Sequence, residues 1–266
     1  MRQLIKYPGS KWSLSKWITS MFPEHHSYLD AFFGSGAILF NKVPSPIEIN
    51  DLDDNVINLF EVIKSDPERL AFEISLIPYA RDVFTNAWQN QNDKDPVVRA
   101  AKFCVRCDMG QGFRTTGEST GFKMDIQGRE DSYAVKHWNK VPDLIIECAA
   151  RLKQVQIENR DAKSIIKRFK HPNVLIYADP PYVLSTRHGK QYAVEMDDND
   201  HIDLIDALKD HPGPVILSGY ESNLYKQMLP SWNTATNTYA DQRGKRRNEI
   251  IWMNFEPSGY QLELSI

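Results

Sequence analysis

The chain has 266 residues, 41% of them hydrophobic and 25% charged, with a formal net charge of −3 and a pI near 6.2. That length can bury a full core as one domain, or as one domain with a large insertion, in an ordinary globular composition. No apolar run approaches the roughly 20 residues that span a bilayer, the N-terminus lacks the apolar core of a secretory signal, and three cysteines suit a reducing compartment, so the expectation is a cytoplasmic protein, monomeric in solution.

In chain order, residues 28–32 predict a strand, the Phe33-Gly34-Ser35-Gly36 segment a tight turn, and residues 37–42 the start of a helix. Residues 46–50 predict a second strand ending at Asp51, and residues 55–64 a helix with Val56, Leu59, Phe60 and Ile63 on one face. The strand–helix alternation then stops. Helices are expected over residues 67–77, 79–91 and 96–107, then a polar, Gly-rich stretch from Gly110 to Arg129, then a helix over 141–153. Alternation resumes with strands at 155–158, 174–179, 215–219 and 249–255 and helices at about 200–209 and 222–228. The pattern is an α/β sheet domain split by a largely helical insertion: 1–64 and 154–266 against 65–153.

The segment Asp179-Pro180-Pro181-Tyr182 follows the apolar run Val174–Ala178, so a carboxylate, two prolines and an aromatic ring stand where a buried strand ends. Ligands of open α/β sheets bind at that end. The prolines fix the backbone and remove two N–H donors, leaving carbonyls free to face a substrate. A carboxylate beside a free carbonyl is an acceptor pair suited to an exocyclic amino group, and the tyrosine ring can lie against a planar heterocycle. Upstream, two glycines in the Phe33–Gly36 turn allow close approach of a nucleoside-type ligand. A dinucleotide fingerprint would want a third glycine where Leu39 stands, which disfavours nicotinamide or flavin. Asp51, 17 residues beyond Gly34, can accept both hydroxyls of a ribose, with Asp53 and Asp54 as nearby alternatives. Cys104 and Cys107 form a C-x-x-C without a second pair or a histidine cluster, and read as residues packed on a helix rather than as a metal or redox site.

The segments Lys6-Tyr7-Pro8-Gly9-Ser10-Lys11-Trp12, Asp30-Ala31-Phe32-Phe33-Gly34-Ser35-Gly36, Asn50-Asp51-Leu52-Asp53 and Asp179-Pro180-Pro181-Tyr182 occur in one order. In that order, and with Thr186-Arg187, Gly189, Tyr192 and the late Arg247-Asn248-Glu249, the chain resembles the Dam-type (D12 class, α-group) adenine-specific DNA N6-methyltransferases over nearly its whole length. The resemblance implies a Rossmann-like methyltransferase sheet that binds S-adenosyl-L-methionine (AdoMet), with residues 65–153 as an inserted, mainly helical target-recognition domain. It implies a transfer to N6 of an adenine flipped out of double-stranded DNA, no metal, and a restriction–modification or phage-type setting. Residue by residue, it implies AdoMet contacts for Tyr7 and Lys11, a methionine-facing acid in Asp30, a cofactor turn at Gly34 and Gly36, and a ribose ligand in Asp51. Asp179 is implied to serve both cofactor and target amino group with the Pro180 carbonyl, Tyr182 to stack on the base, and Asp161 to reach the cofactor adenine.

The insertion departs from the usual wording of these enzymes. Its run from Arg106 to Thr116, with Arg114 in it and Lys123 and Arg129 after it, stands where a recognition loop is expected; arginine, glutamine and threonine suit base edges and lysine suits phosphates. Arg246, in the basic run 243–247, is placed near the phosphates of the flipped base. Two competing classes share parts of this pattern: methyltransferases of guanine N2 in RNA or of protein glutamine, and a catalytically inactive DNA-binding relative. The 128 positions between Asp51 and Asp179 favour DNA over the first, and the intact Asp51 and Asp179 argue against the second.

Overall fold

Val174–Ala178 forms a strand in which every residue is buried, as expected for a parallel strand covered on both faces. The computed structural model describes residues 1–124, 133–186, 189, 191–240 and 246–257. Among these, seven strands build one sheet: β1 (Ser27–Asp30), β2 (Ile47–Asn50), β3 (Val155–Glu158), β4 (Val174–Ala178), β5 (Val215–Gly219), β6 (Asn233–Ala240) and β7 (Arg246–Met253). The spatial order is β3-β2-β1-β4-β5-β7-β6, with β1 to β5 parallel and β7 antiparallel to both neighbours. The chain leaves β1 toward β2 on one side and returns to β4 on the other, so the crevice of a doubly wound sheet opens at the carboxyl ends of β1 and β4. This is the Rossmann-like sheet expected from the sequence.

Alternate strand residues face opposite layers. Tyr28, Leu175 and Tyr177 join a large core with α2 (Asp54–Ser65), α5 (Pro96–Met109) and α7 (Val141–Leu152). Leu29, Ile176 and Leu217 face a second core with α8 (Ala162–Arg168) and α9 (Asp198–Lys209). The inserted helices, including α3 (Pro67–Ser75), α4 (Arg81–Gln89) and α6 (Tyr133–Trp138), contribute Leu70, Phe84, Phe103 and Trp138 to the first core, so insertion and sheet share one apolar interior. Cys104, Cys107 and Cys148 are buried free thiols, and burial pushes all three pKa values up. They are inert core residues.

Six segments differ from expectation among the described residues. Residues 37–42 make hydrogen-bonded turns, such as Phe40 N–H to the Gly36 carbonyl at 3.1 Å, and not an α-helix. The short helices α1 (Ser15–Ser20), α6 and α8 were not expected, because six or seven residues give too little periodicity to read. Strand β6 was not expected because Asn233–Ala240 is rich in threonine and asparagine without an apolar stripe; it is an edge strand that takes its hydrogen bonds from β7. Its partner β7 begins at Arg246, ahead of the apolar residues that mark it in the sequence.

Candidate active site

The carboxyl ends of the parallel strands frame a cavity of about 400 Å³, lined by Tyr7, Lys11, Asp30, Gly34, Asp51 and Asp179 among others. Asn50, at the end of β2, ties these ends together: its Nδ2 donates to the Ala31 carbonyl at 3.1 Å and to the Arg160 carbonyl at 3.0 Å. Gly34 has φ +51°, and a Cβ there would meet the Tyr7 ring at 3.2 Å; its N–H donates to Asp51 Oδ2 at 2.7 Å. Gly36 has φ +70° and stands where a Cβ would strike the Phe33 and Phe40 rings at 2.7 and 2.6 Å, so it serves the turn and does not line the cavity.

Asp51 Oδ1 also accepts the Asp53 N–H at 2.9 Å, and each of its oxygens keeps acceptor capacity. Burial, opposed by these N–H groups, pushes its carboxyl up to about 6. Asp53 caps α2 by accepting the Asn55 N–H at 2.9 Å, and it accepts the Tyr7 hydroxyl at 3.1 Å. Those duties separate it from Asp51, whose side chain is fixed against the glycine turn. Asp30 is buried at the end of β1; Tyr28 donates to its Oδ2 at 3.0 Å, while Oδ1 has no hydrogen-bond partner. Burial drives its carboxyl well up, against the Tyr28 hydroxyl that donates to it. Asp161 caps α8 and lines the same cavity.

Beyond β4, Lys11 Nζ donates to Asp179 Oδ2 at 2.7 Å and to the Gly9 carbonyl at 2.8 Å. Lys11 is buried, and Nζ lies 3.8 Å from Glu249 and 4.8 Å from the centroid of the Tyr182 ring. Burial opposes its charge, but Asp179 and Glu249 outweigh it and hold the ammonium protonated. Burial raises the Asp179 carboxyl against the pull of Lys11; Glu249, farther from the ammonium, is pushed up to about 7, mainly by burial. Tyr182 donates its hydroxyl to Glu249 and packs edge-on against Tyr220 at 4.5 Å. Burial and the two nearby carboxylates keep that phenol neutral, hence a donor. Asp179 Oδ1 has no hydrogen-bond partner.

The insertion reaches this site. Phe113 packs 6.1 Å from Tyr7. The Thr115 N–H donates to the Gln191 carbonyl at 3.0 Å, and the Ala193 N–H donates to Thr115 Oγ1 at 2.7 Å. Thr115, Tyr192 and Ala193 line the cavity, so the polar loop of the insertion is pinned to the segment that follows Asp179–Tyr182.

A cavity at the strand ends, an acid at each of three of those ends and an anchored aspartate before two prolines and a tyrosine are together on one sheet. Residues 7–243 match the family described as D12 class N6 adenine-specific DNA methyltransferase. The chain belongs to that family. It is 26% identical over 289 aligned positions to the type II methyltransferase M1.LlaDCHI of Lactococcus lactis subsp. cremoris, covering 96% of each chain. Among solved structures it is similar to an rRNA methylase from Streptococcus thermophilus (7% identity, TM-score 0.36, 91% of this chain and 93% of that one). It is also similar to precorrin 8W decarboxylase from Methanobacterium thermoautotrophicum (8% identity, TM-score 0.39, 93% and 91%). Likenesses so distant add nothing to the family assignment, which rests on the sequence match.

In this D12 class methyltransferase the structure brings Tyr7, Lys11, Asp30, Gly34, Asp51 and Asp179 to one cavity, with Tyr182 beside it; Pro180 is buried and Gly36 supports the turn. Arg106 requires correction as a DNA-contacting residue. It is 1% exposed, its guanidinium donates to the Ala87 carbonyl and to Asn55 Oδ1, both at 3.1 Å, and it lies 5.7 Å from the Trp88 ring. It sits on the inner face of α5, which sequence position at the edge of a polar loop could not reveal. Arg114 is exposed on the loop, Lys123 is half-buried beside it, and Arg246 is exposed at the start of β7. Arg129 lies outside the described residues, as do residues 243–245 of the basic run. Asn50, Thr115 and Tyr220 were not singled out in sequence, and Glu249 was noted without a role. Only a buried acid at the head of an apolar strand offered a signal for Glu249.

Proposed function

We propose that the strand-end cavity holds AdoMet and that this chain transfers a methyl group to N6 of an adenine flipped out of double-stranded DNA. The observation that carries the reading is the state of Asp179: one oxygen is fixed by Lys11 at 2.7 Å, and the other, Oδ1, is buried without a partner. The residues suit the cofactor. Asp51 offers paired acceptors for ribose hydroxyls, the unpartnered Asp30 Oδ1 suits an ammonium group, and the Gly34 turn admits the ligand closely. Tyr7 and Lys11 close the near wall, and Asp161 stands where the cofactor adenine would end.

When bound, AdoMet supplies a methyl group on a sulfonium sulfur, which leaves as a neutral thioether. Chemistry on a base within a duplex is sterically blocked, so the target adenine must leave the stack. The N6 amino group donates to Asp179 Oδ1 and to the Pro180 carbonyl, which turns the nitrogen lone pair toward the methyl group. Tyr182 stacks on the base, a contact worth about 1–3 kcal/mol. A new N–C bond forms as the S–C bond breaks, and the extra proton on nitrogen passes to Asp179. The chain's contribution is positioning and preorganised charge.

Residues 65–153 are read as the target-recognition part, with Arg114 and Lys123 beside the DNA and Arg246 near its phosphates. The loop bonded through Thr115 to residues 191–193 supports a DNA contact beside the cavity. The reaction is placed in the cytoplasm, by a monomer.

The test is transfer of labelled methyl groups from AdoMet to duplex DNA, RNA and protein in parallel, with the product nucleoside identified by chromatography. Label in N6-methyladenosine from duplex DNA alone supports the reading. Label in RNA or protein in its place rejects it.

A further inference from the structure

We propose that Glu249 is a positioning residue for methyl transfer: it anchors Tyr182 and takes a share of the Lys11 ammonium, so that the stacking ring and Asp179 keep one arrangement. The inference rests on the reaction proposed above. Glu249 is 0% exposed and stands on β7, on the far side of β5 from the strand that delivers Asp179. Burying a carboxylate is costly unless it is paired, so its place in the interior demands partners. Tyr182 donates its hydroxyl to Oε1, and Lys11 Nζ lies 3.8 Å away, while Oε2 has no partner.

The geometry makes Lys11 the hub. Its ammonium is 2.7 Å from Asp179, 3.8 Å from Glu249 and 4.8 Å from the centroid of the Tyr182 ring. Tyr182 is therefore fixed at its hydroxyl by Glu249 and at its ring by Tyr220 and Lys11. Without Glu249 the hydroxyl loses this acceptor, the ring can turn, and Lys11 keeps Asp179 as its only carboxylate beside the Gly9 carbonyl among the described residues. Neither change touches the ribose end of the cavity, where Asp51 sits. Loss of Glu249 should therefore act on turnover and leave cofactor affinity in place.

Steady-state kinetics and calorimetry on wild type, Glu249→Leu, Glu249→Gln and Tyr182→Phe test this. Leucine keeps volume and removes both partners; kcat is expected to fall roughly thirtyfold or more, with the AdoMet Kd within about threefold of wild type. Glutamine keeps an oxygen for the Tyr182 hydroxyl and is expected to recover about tenfold of that loss. A leucine variant with wild-type kcat, or a kcat loss matched by an equal loss of AdoMet affinity, overturns the inference. If the leucine variant does not fold, Tyr182→Phe carries the same test from the other end: about a tenfold lower kcat at unchanged AdoMet affinity supports the anchor, and full kcat overturns it. Wild type run alongside separates the two readings. A wild type that methylates no adenine overturns both, whereas an active wild type matched by its leucine variant overturns only this one.

Discussion

Lys11 Nζ and Asp179 Oδ2 meet at 2.7 Å although 168 positions separate them in the chain. The pair fixes one oxygen of the aspartate and leaves the other, Oδ1, without a partner. An acceptor held ready in a site of low polarity favours the arrangement it was built for. Replacing Asp179 by alanine should lower kcat by roughly 10²–10³-fold or more, as loss of such a preorganised contact does. AdoMet affinity by calorimetry should fall less, because Asp51 and the glycine turn remain. Near wild-type methylation by the alanine variant would remove Asp179 from the reaction.

The Asp51 carboxyl, raised by burial to about 6, predicts how cofactor binding responds to pH. In the proposed reading its ionised form accepts the ribose hydroxyls. A raised pKa means that this form dominates only above about pH 6 and is lost as pH falls through that value. Between pH 7.5 and 5 the AdoMet Kd should rise roughly tenfold, since a group one unit below its pKa is about one-tenth ionised. Asp51→Asn should bind AdoMet more weakly at neutral pH, with a flat profile over the same range. Calorimetric titrations at four pH values check both, and an unchanged Kd in Asp51→Asn would reject the ribose role.

Most of the sheet was legible because its strands are short segments that end at acids: the apolar run Val174–Ala178 before Asp179, and Ile47–Asn50, with isoleucine at 47 and 49, before Asp51. Parallel strands buried on both faces leave little choice in such runs. Strand β6 was not legible, since its threonines and asparagines have no buried face to announce them and its pairing comes from β7. In the site, the glycine turn, Asp51 and Asp179 could be read from their places at turns and strand ends, whereas Tyr7, Lys11 and Asp30 came only with the family resemblance. Glu249 could not be read, because its role depends on β7 folding back beside β5. Arg106 shows the opposite failure, in which a cation next to a polar loop is turned inward by the face of α5 it occupies.

Arg106 should therefore act on stability. Arg106→Ala removes two hydrogen bonds and the packing of the guanidinium on Trp88 and Phe103. A loss of about 2–4 kcal/mol is expected, or roughly 5–15 °C in Tm for a chain of this size. The methylated sequence should stay the same. Scanning calorimetry together with modified-base sequencing checks the pair, and an unaltered Tm with a changed target site would return Arg106 to the recognition surface.

Arg114 is exposed on the loop pinned to residues 191–193, and its replacement should act in the opposite way. Arg114→Ala should leave Tm within about 1 °C, as surface changes do, and relax or abolish sequence choice. A single base contact of the kind arginine makes is worth about 1–3 kcal/mol of discrimination. Unaltered methylated sites in Arg114→Ala would exclude it from base reading.

The central claim is that Asp179 presents an adenine amino group to a methyl donor in the strand-end cavity. Its most direct test is expression of wild type and Asp179→Ala in a cell without DNA methylation, followed by modified-base sequencing of the host DNA. The account predicts N6-methyladenine confined to one short sequence in the wild-type culture and none with the variant. Wild-type protein that folds and binds AdoMet yet leaves adenine unmodified, or equal modification by the variant, would contradict it.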